Sequence, residues 1–160
     1  MSKAIYISTV EENSGKSLIS LGVLRMMLTK SSKVGYFRPI INVEDKNEFD
    51  NHIKTAIEFF NLDMQHDDCF AFHQSEIVRL LSQGKEEAVI QKVIEKFKIL
   101  ETKFDYVLVE GTDFSGDGGF TELDVNLMIA KNLGIPVYQP SSLKNNKEAL
   151  EKIISINADV

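Results

Sequence analysis

The chain has a single cysteine, Cys69, among its 160 residues. No disulfide can form within it, and so little thiol fits a reducing compartment. Positive charge is also in deficit. Eighteen Lys and Arg against 24 Asp and Glu give a formal net charge of −6. A globally acidic chain argues against nucleic acid or an anionic membrane as its main partner, though it leaves room for a local basic pocket that takes phosphate. Long apolar runs are lacking too. The start, "MSKAIYISTVEEN", carries one lysine and a short apolar run. That is too short for a signal sequence and far too short to span a bilayer, so a cytoplasmic protein is expected. There is no internal repeat and no low-complexity tract. No Ser-His-Asp set and no H-E-x-x-H pattern occurs, which leaves a nucleophilic hydrolase without support.

What is present is an ordinary globular composition, 43% hydrophobic and 26% charged. A chain of this length makes one domain and buries about 70% of its unfolded surface, enough for a real core. "AIYISTV" (4–10) reads as a first strand and "KVGYFRPI" (33–40) as a second. "FDYVLVEG" (104–111) is an unbroken apolar run of the kind buried on both faces of a parallel sheet, and "IPVYQP" (135–140) is a short fourth strand. Helices are expected between them. "LISLGVLRMMLTK" (18–30) is apolar on most sides and reads as buried. Ile53, Ala56, Ile57 and Phe60 share one face over 50–60, and Val89, Ile90, Val93, Ile94, Phe97 and Leu100 form a stripe over 85–100. A short helix over 75–84 stops at Gly84. A further helix, opened by a Thr121–Asp124 capping box, carries Leu123, Leu127, Ala130 and Leu133. Residues 61–74 read as polar and irregular, and 147–156 as a last amphipathic helix.

Alternating strands and helices predict an α/β fold, a doubly wound, mostly parallel sheet with helices on both faces. Four strands are fewer than such domains usually carry, and "NADV" (157–160) looks like the lead into another. The 160 residues therefore read as one domain from the front of a longer chain.

The chemistry concentrates in "STVEENSGKSL" (8–18), between the first strand and the first helix. A helix N-terminus offers unpaired N–H groups and the positive end of its dipole, which together attract anions. Gly15 lets the backbone approach phosphate, Lys16 supplies charge for the β and γ oxygens, and the Ser17 hydroxyl can hold Mg²⁺. Glu12, Asn13, Ser14, Gly15, Lys16, Ser17 and Leu18 are the candidate nucleotide contacts. The usual G-x-x-x-x-G-K-[ST] spacing asks for glycine where Val10 stands, and a β-branched residue is penalised at positive φ. The loop's entry is therefore altered, while its phosphate end is kept. Glu110 closes the apolar run at the carboxyl edge of its strand, where ligands bind in such sheets and where a carboxylate can hold Mg²⁺.

Two metal patterns are weaker. His66, Cys69 and His73 lack an obvious fourth ligand for zinc. "DFSGDGGFTELD" (113–124) imitates a calcium loop at Asp113, Ser115, Asp117 and Gly118, but ends on Asp124 rather than glutamate and follows a strand.

With these residues in hand, the chain resembles the N-terminal domain of long phosphate acetyltransferases, a domain similar in fold to the P-loop enzyme dethiobiotin synthetase. "IYISTVEENSGKSLISLGVLR", "KVGYFRPI", "DNHIKTAIEFFNLD", "FDYVLVEGTDF" and "LDVNLMIAKNLGIPV" carry the resemblance. It implies that Arg38 stands where the synthetase has a lysine, and that Asp50 and Glu110 match its magnesium ligands, with Ser17. The synthetase's early loop glycine matches Thr9. Arginine is no geometric equivalent of lysine, which weakens the synthetase reading. The resemblance further implies that acetyl transfer between coenzyme A and phosphate is carried out by a C-terminal domain absent from these residues. It gives the present domain a regulatory and structural role, a metabolite or nucleotide as ligand, and a homo-oligomeric parent. Weak binding of ATP with Mg²⁺, with slow or no hydrolysis, is the expectation. A stand-alone ATP-dependent ligase and a pure assembly module with a dead pocket are the alternatives.

Overall fold

The computed structural model describes residues 2–8, 16–43, 45–112 and 122–139. Among these residues the main sheet has four strands: β1 (Lys3–Ile7), β2 (Val34–Phe37), β5 (Tyr106–Glu110) and β6 (Val137–Tyr138). They run parallel in the order β2-β5-β1-β6. Leu108 of β5 sits opposite both Ile5 and Tyr36, so β5 and β1 form the middle of the layer. Val107, Leu108, Val109 and Glu110 are all buried. Successive strand residues point to opposite faces, so both faces of β5 are covered. α1 (Lys16–Leu28) and α4 (Glu86–Lys103) both pack on it. α1 also meets α2 (Asn51–Phe60), while α4 meets α3 (Gln74–Ser82) and α5 (Glu122–Leu133). This is the α/β fold that the alternation of elements predicts. The final helix expected over 147–156 lies outside the described residues.

Three local readings change. Residues 61–74 are not merely irregular. They hold a 3₁₀ turn at His66–Asp68 and a strand β4 (Phe72–His73). β4 pairs in parallel with β3 (Ile40–Ile41) as a separate two-stranded sheet. Leu62, Met64, Cys69, Ala71 and Phe72 belong to the core, and the Met64 sulfur accepts from the Tyr36 N–H at 3.2 Å. Second, α1 buries Ile19, Ser20, Val23, Leu24 and Met27 but exposes Leu18, so it has one buried side rather than several. Third, α5 buries Val125, Asn126, Ile129 and Ala130 and turns Leu127 outward. Thr121 of the expected capping box lies outside the described residues.

Burial of an Ile, Leu, Val or Phe side chain is worth roughly 1.5–3 kcal/mol, and the stripe on α4 delivers it through Val89, Val93, Phe97 and Leu100. α2 is fixed at both ends. The Asp50 carboxylate accepts from the N–H groups of His52 and Ile53, and Asn61 closes the helix in the left-handed region at φ 50°. α3 and α5 give way to Gly84 and Gly134, at φ 70° and 67°, where a side chain would be strained. Among the described residues no helix is long and apolar enough to cross a membrane.

Candidate functional site

The site lies where two strand ends meet the start of α2. β2 runs straight into Arg38. Its N–H donates to the Cys69 carbonyl at 2.8 Å, and the Pro39 carbonyl accepts from Ala71 and Phe72. Arg38 thus sits at the crossing from the four-stranded sheet to the two-stranded one, and is only 4% exposed. Thr112, just past β5, donates its hydroxyl to the Ile40 carbonyl and closes the same seam.

Glu110 ends β5 and is 2% exposed. A buried carboxylate is tolerated only when its charge is met. Here Oε1 accepts from Arg38 Nη1 at 2.8 Å and lies 3.0 Å from His52 Nδ1, while Oε2 accepts from the Tyr36 hydroxyl at 2.8 Å. Burial alone pushes this carboxyl up. The His52 hydrogen bond, the Arg38 charge and the Tyr36 hydroxyl outweigh it and hold Glu110 down at about 2. Burial, with Glu110 beside it, pushes the Tyr36 hydroxyl well above its ordinary value, so it stays a donor. Asp50 completes the cluster. Its Oδ1 takes the two helix N–H groups at 2.9 and 3.0 Å, and its Oδ2 lies 3.4 Å from Arg38 Nε. Its own N–H donates to His66 Nε2 at 2.9 Å.

Two hollows open on this cluster. One, of about 190 Å³, is lined by Leu21, Tyr36, Asn51, His52, Thr55 and Glu110. The other, of about 680 Å³ and more polar, has Arg38, Asp50 and His52 in its wall, with Asp45 and Glu48 on its acidic side. Leu21 follows Lys16 by five residues, about 7.5 Å of helix rise. The first turn of α1 therefore lies close to the Glu110 hollow.

The structure brings three sequence-derived candidates, Arg38, Asp50 and Glu110, into one cluster. Of the loop candidates, Leu18 lies exposed on α1. Lys16 and Ser17 open that helix, but their side chains lie outside the described part, as do Glu12, Asn13, Ser14 and Gly15. Tyr36 and His52 are the members that sequence reasoning missed. Tyr36 was available from the two-residue period of a strand, which puts it on the same side as Arg38. His52 had a signal as well, since it stands in the first turn of the helix that Asp50 caps.

The donor set does not fit a metal ion resting on Asp50 and Glu110. Glu110 already accepts three side-chain donors and Asp50 two backbone ones, and a guanidinium occupies the space between them. Among the described residues no group of three His, Cys, Asp or Glu side chains could hold a metal. The two sequence-level metal patterns meet other partners or fall elsewhere. Cys69 is buried, its thiol pushed up to about 12 by burial and by Asp68, and its Sγ faces the Gln65 carbonyl at 3.3 Å. His73 Nδ1 faces the Val43 carbonyl at 2.8 Å. The calcium-like residues Asp113, Ser115, Asp117 and Gly118 lie outside the described part.

Residues 3–138 match the family described as AAA domain. The chain belongs to that family. It is also 37% identical over 137 residues to the phosphate acetyltransferase of Synechocystis sp., and equally to that of Nitratidesulfovibrio vulgaris. Each match takes in 86% of this chain but 20% of the relative. The chain thus spans about one fifth of the relatives it matches, corresponding to their N-terminal part.

Proposed function

We propose that this chain is a regulatory and structural, nucleotide-binding-type domain of a phosphate acetyltransferase. In that enzyme acetyl-CoA and phosphate give acetyl phosphate and coenzyme A, with the chemistry and the coenzyme A site in a C-terminal domain. The observation that carries this reading is the match itself, which runs through 86% of the chain yet reaches only 20% of proteins bearing that name. The 160 residues alone should form no acetyl phosphate from acetyl-CoA and phosphate. Turnover by the purified chain, measured by trapping acetyl phosphate as the hydroxamate, would refute the assignment.

The ligand in this proposal is a nucleotide or a similar small metabolite, with ATP bound weakly. Its phosphates sit at the start of α1 on Glu12, Asn13, Ser14, Gly15, Lys16, Ser17 and Leu18, with Arg38 near by. Magnesium would arrive on the phosphates and meet the Ser17 hydroxyl. Ligand that binds only the folded state raises its melting temperature according to concentration over Kd. Mg-ATP should therefore raise the melting temperature of the wild type but not of Lys16→Ala. Equal responses would dispose of the nucleotide pocket. The partners in this reading are the remaining domains of the same chain and further copies of the parent, in the cytoplasm.

The meeting of Asp50 and Glu110 favours a second reading, a ligase of the dethiobiotin synthetase type. ATP turnover that requires both a diamine and bicarbonate would establish it. The engagement of both carboxylates by Arg38 speaks against it.

A further inference from the structure

Two carboxylates reach into one buried corner from different elements, Glu110 from the end of β5 and Asp50 from the cap of α2. Side by side in a desolvated place, they repel unless a positive charge is set between them. Mobile cations fill that role in many proteins. Here the charge is covalently attached. Arg38 Nη1 is 2.8 Å from Glu110 Oε1, and Arg38 Nε is 3.4 Å from Asp50 Oδ2.

The guanidinium is held there by more than its charge. Its Nη1 also reaches the Gly111 carbonyl at 3.3 Å, and its own N–H is tied to Cys69. Other donors hold the same two carboxylates as well. Tyr36 and His52 engage Glu110, and two helix N–H groups engage Asp50 Oδ1. A divalent ion would have to displace a fixed positive charge and strip several hydrogen bonds.

We propose that Arg38 is a built-in replacement for a divalent cation, so that the Asp50–Glu110 pair binds no metal while Arg38 is present. Removing Arg38 converts the same pair into a cation site. The guanidinium is a positioning element in this scheme. It sets the two carboxylates and the cap of α2 in place without metal.

The test is metal rescue, with no nucleotide present, so its outcome is separate from that of the ATP experiment. Mn²⁺ alone is the probe, followed by electron paramagnetic resonance and by melting temperature. The wild type and Glu110→Gln should take up the same small amount of Mn²⁺ and show no rise in melting temperature. Arg38→Met should melt lower in a chelator, regain part of the loss as Mn²⁺ is added, and gain one bound ion. Arg38→Met/Glu110→Gln should lose both the regain and the ion. Mn²⁺ uptake by the wild type that Glu110→Gln removes would overturn the proposal. So would a folded Arg38→Met that ignores Mn²⁺. Should Arg38→Met not fold even with Mn²⁺, the wild-type comparison decides alone: uptake abolished by Glu110→Gln counts against Arg38, and equal uptake counts for it.

Discussion

The Tyr6 hydroxyl, on β1, donates to Asn126 Oδ1, on α5, across 2.6 Å of fully buried space. Asn126 passes the contact on, its Nδ2 donating to the Thr112 carbonyl at 3.1 Å. One amide therefore ties the central sheet, the segment after β5 and the helix α5 together. Replacing Asn126 by Ala leaves a phenol donor and a carbonyl without these partners in the interior. The expected cost is about 1–3 kcal/mol, read as a lowered urea midpoint. Asn126→Leu should not do better, since size alone does not answer the Tyr6 hydroxyl.

Gly111 makes this contact possible. A Cβ at that position would lie 2.6 Å from Asn126 Oδ1 and 3.1 Å from the Tyr6 ring. Gly111→Ala should destabilise by about 1–3 kcal/mol through overpacking. Residues in contact couple, so the methyl should cost clearly less in an Asn126→Ala background. A double-mutant cycle with no coupling would show that the amide is not what the methyl meets.

Glu110 gives the chain an acid-sensitive term of definite sign. Its folded-state value is about 2, lowered from 4.5. The unfolded chain therefore takes up this proton more readily than the folded one. The stabilising contribution is fully present above about 4.5 and is lost as pH falls toward 2. Its size is on the order of 3 kcal/mol. Glu110→Gln should flatten the slope of unfolding free energy against pH in that window, as followed by urea titrations at a series of pH values.

Asp50 does two jobs that substitution can separate. Serine can still cap α2 but cannot pair with Arg38, whereas alanine does neither. Losing the cap costs about 1 kcal/mol. Asp50→Ala should thus melt below Asp50→Ser, and both below the wild type. Identical melting of the two variants would mean that the cap is idle.

The fold was legible because β5 is an unbroken apolar run, as strands buried on both faces of a parallel sheet commonly are. The small sheet was not legible. β3 and β4 have two residues each, too few for any alternation to register. The buried face of α5 misled for a different reason. Periodicity weighs Leu127 as core and Asn126 as surface, yet the Tyr6 hydroxyl needs a polar partner inside. Arg38, Asp50 and Glu110 could each be picked out, but their mutual engagement could not. It depends on Cys69 and Pro39 holding the Arg38 backbone, in a stretch that looks featureless as a string of letters.

The strand order also bears on how the chain comes to be folded. Lys3 pairs with Tyr106, and Val34 with that same Tyr106. The two earliest strands of the main sheet are thus not paired with each other and share a neighbour made far later. During synthesis β1 and β2 emerge as apolar segments well before β5, the strand both of them pair with. Pairings so distant along the chain are slow to form, and the exposed interval is when the nascent polypeptide is most prone to aggregate.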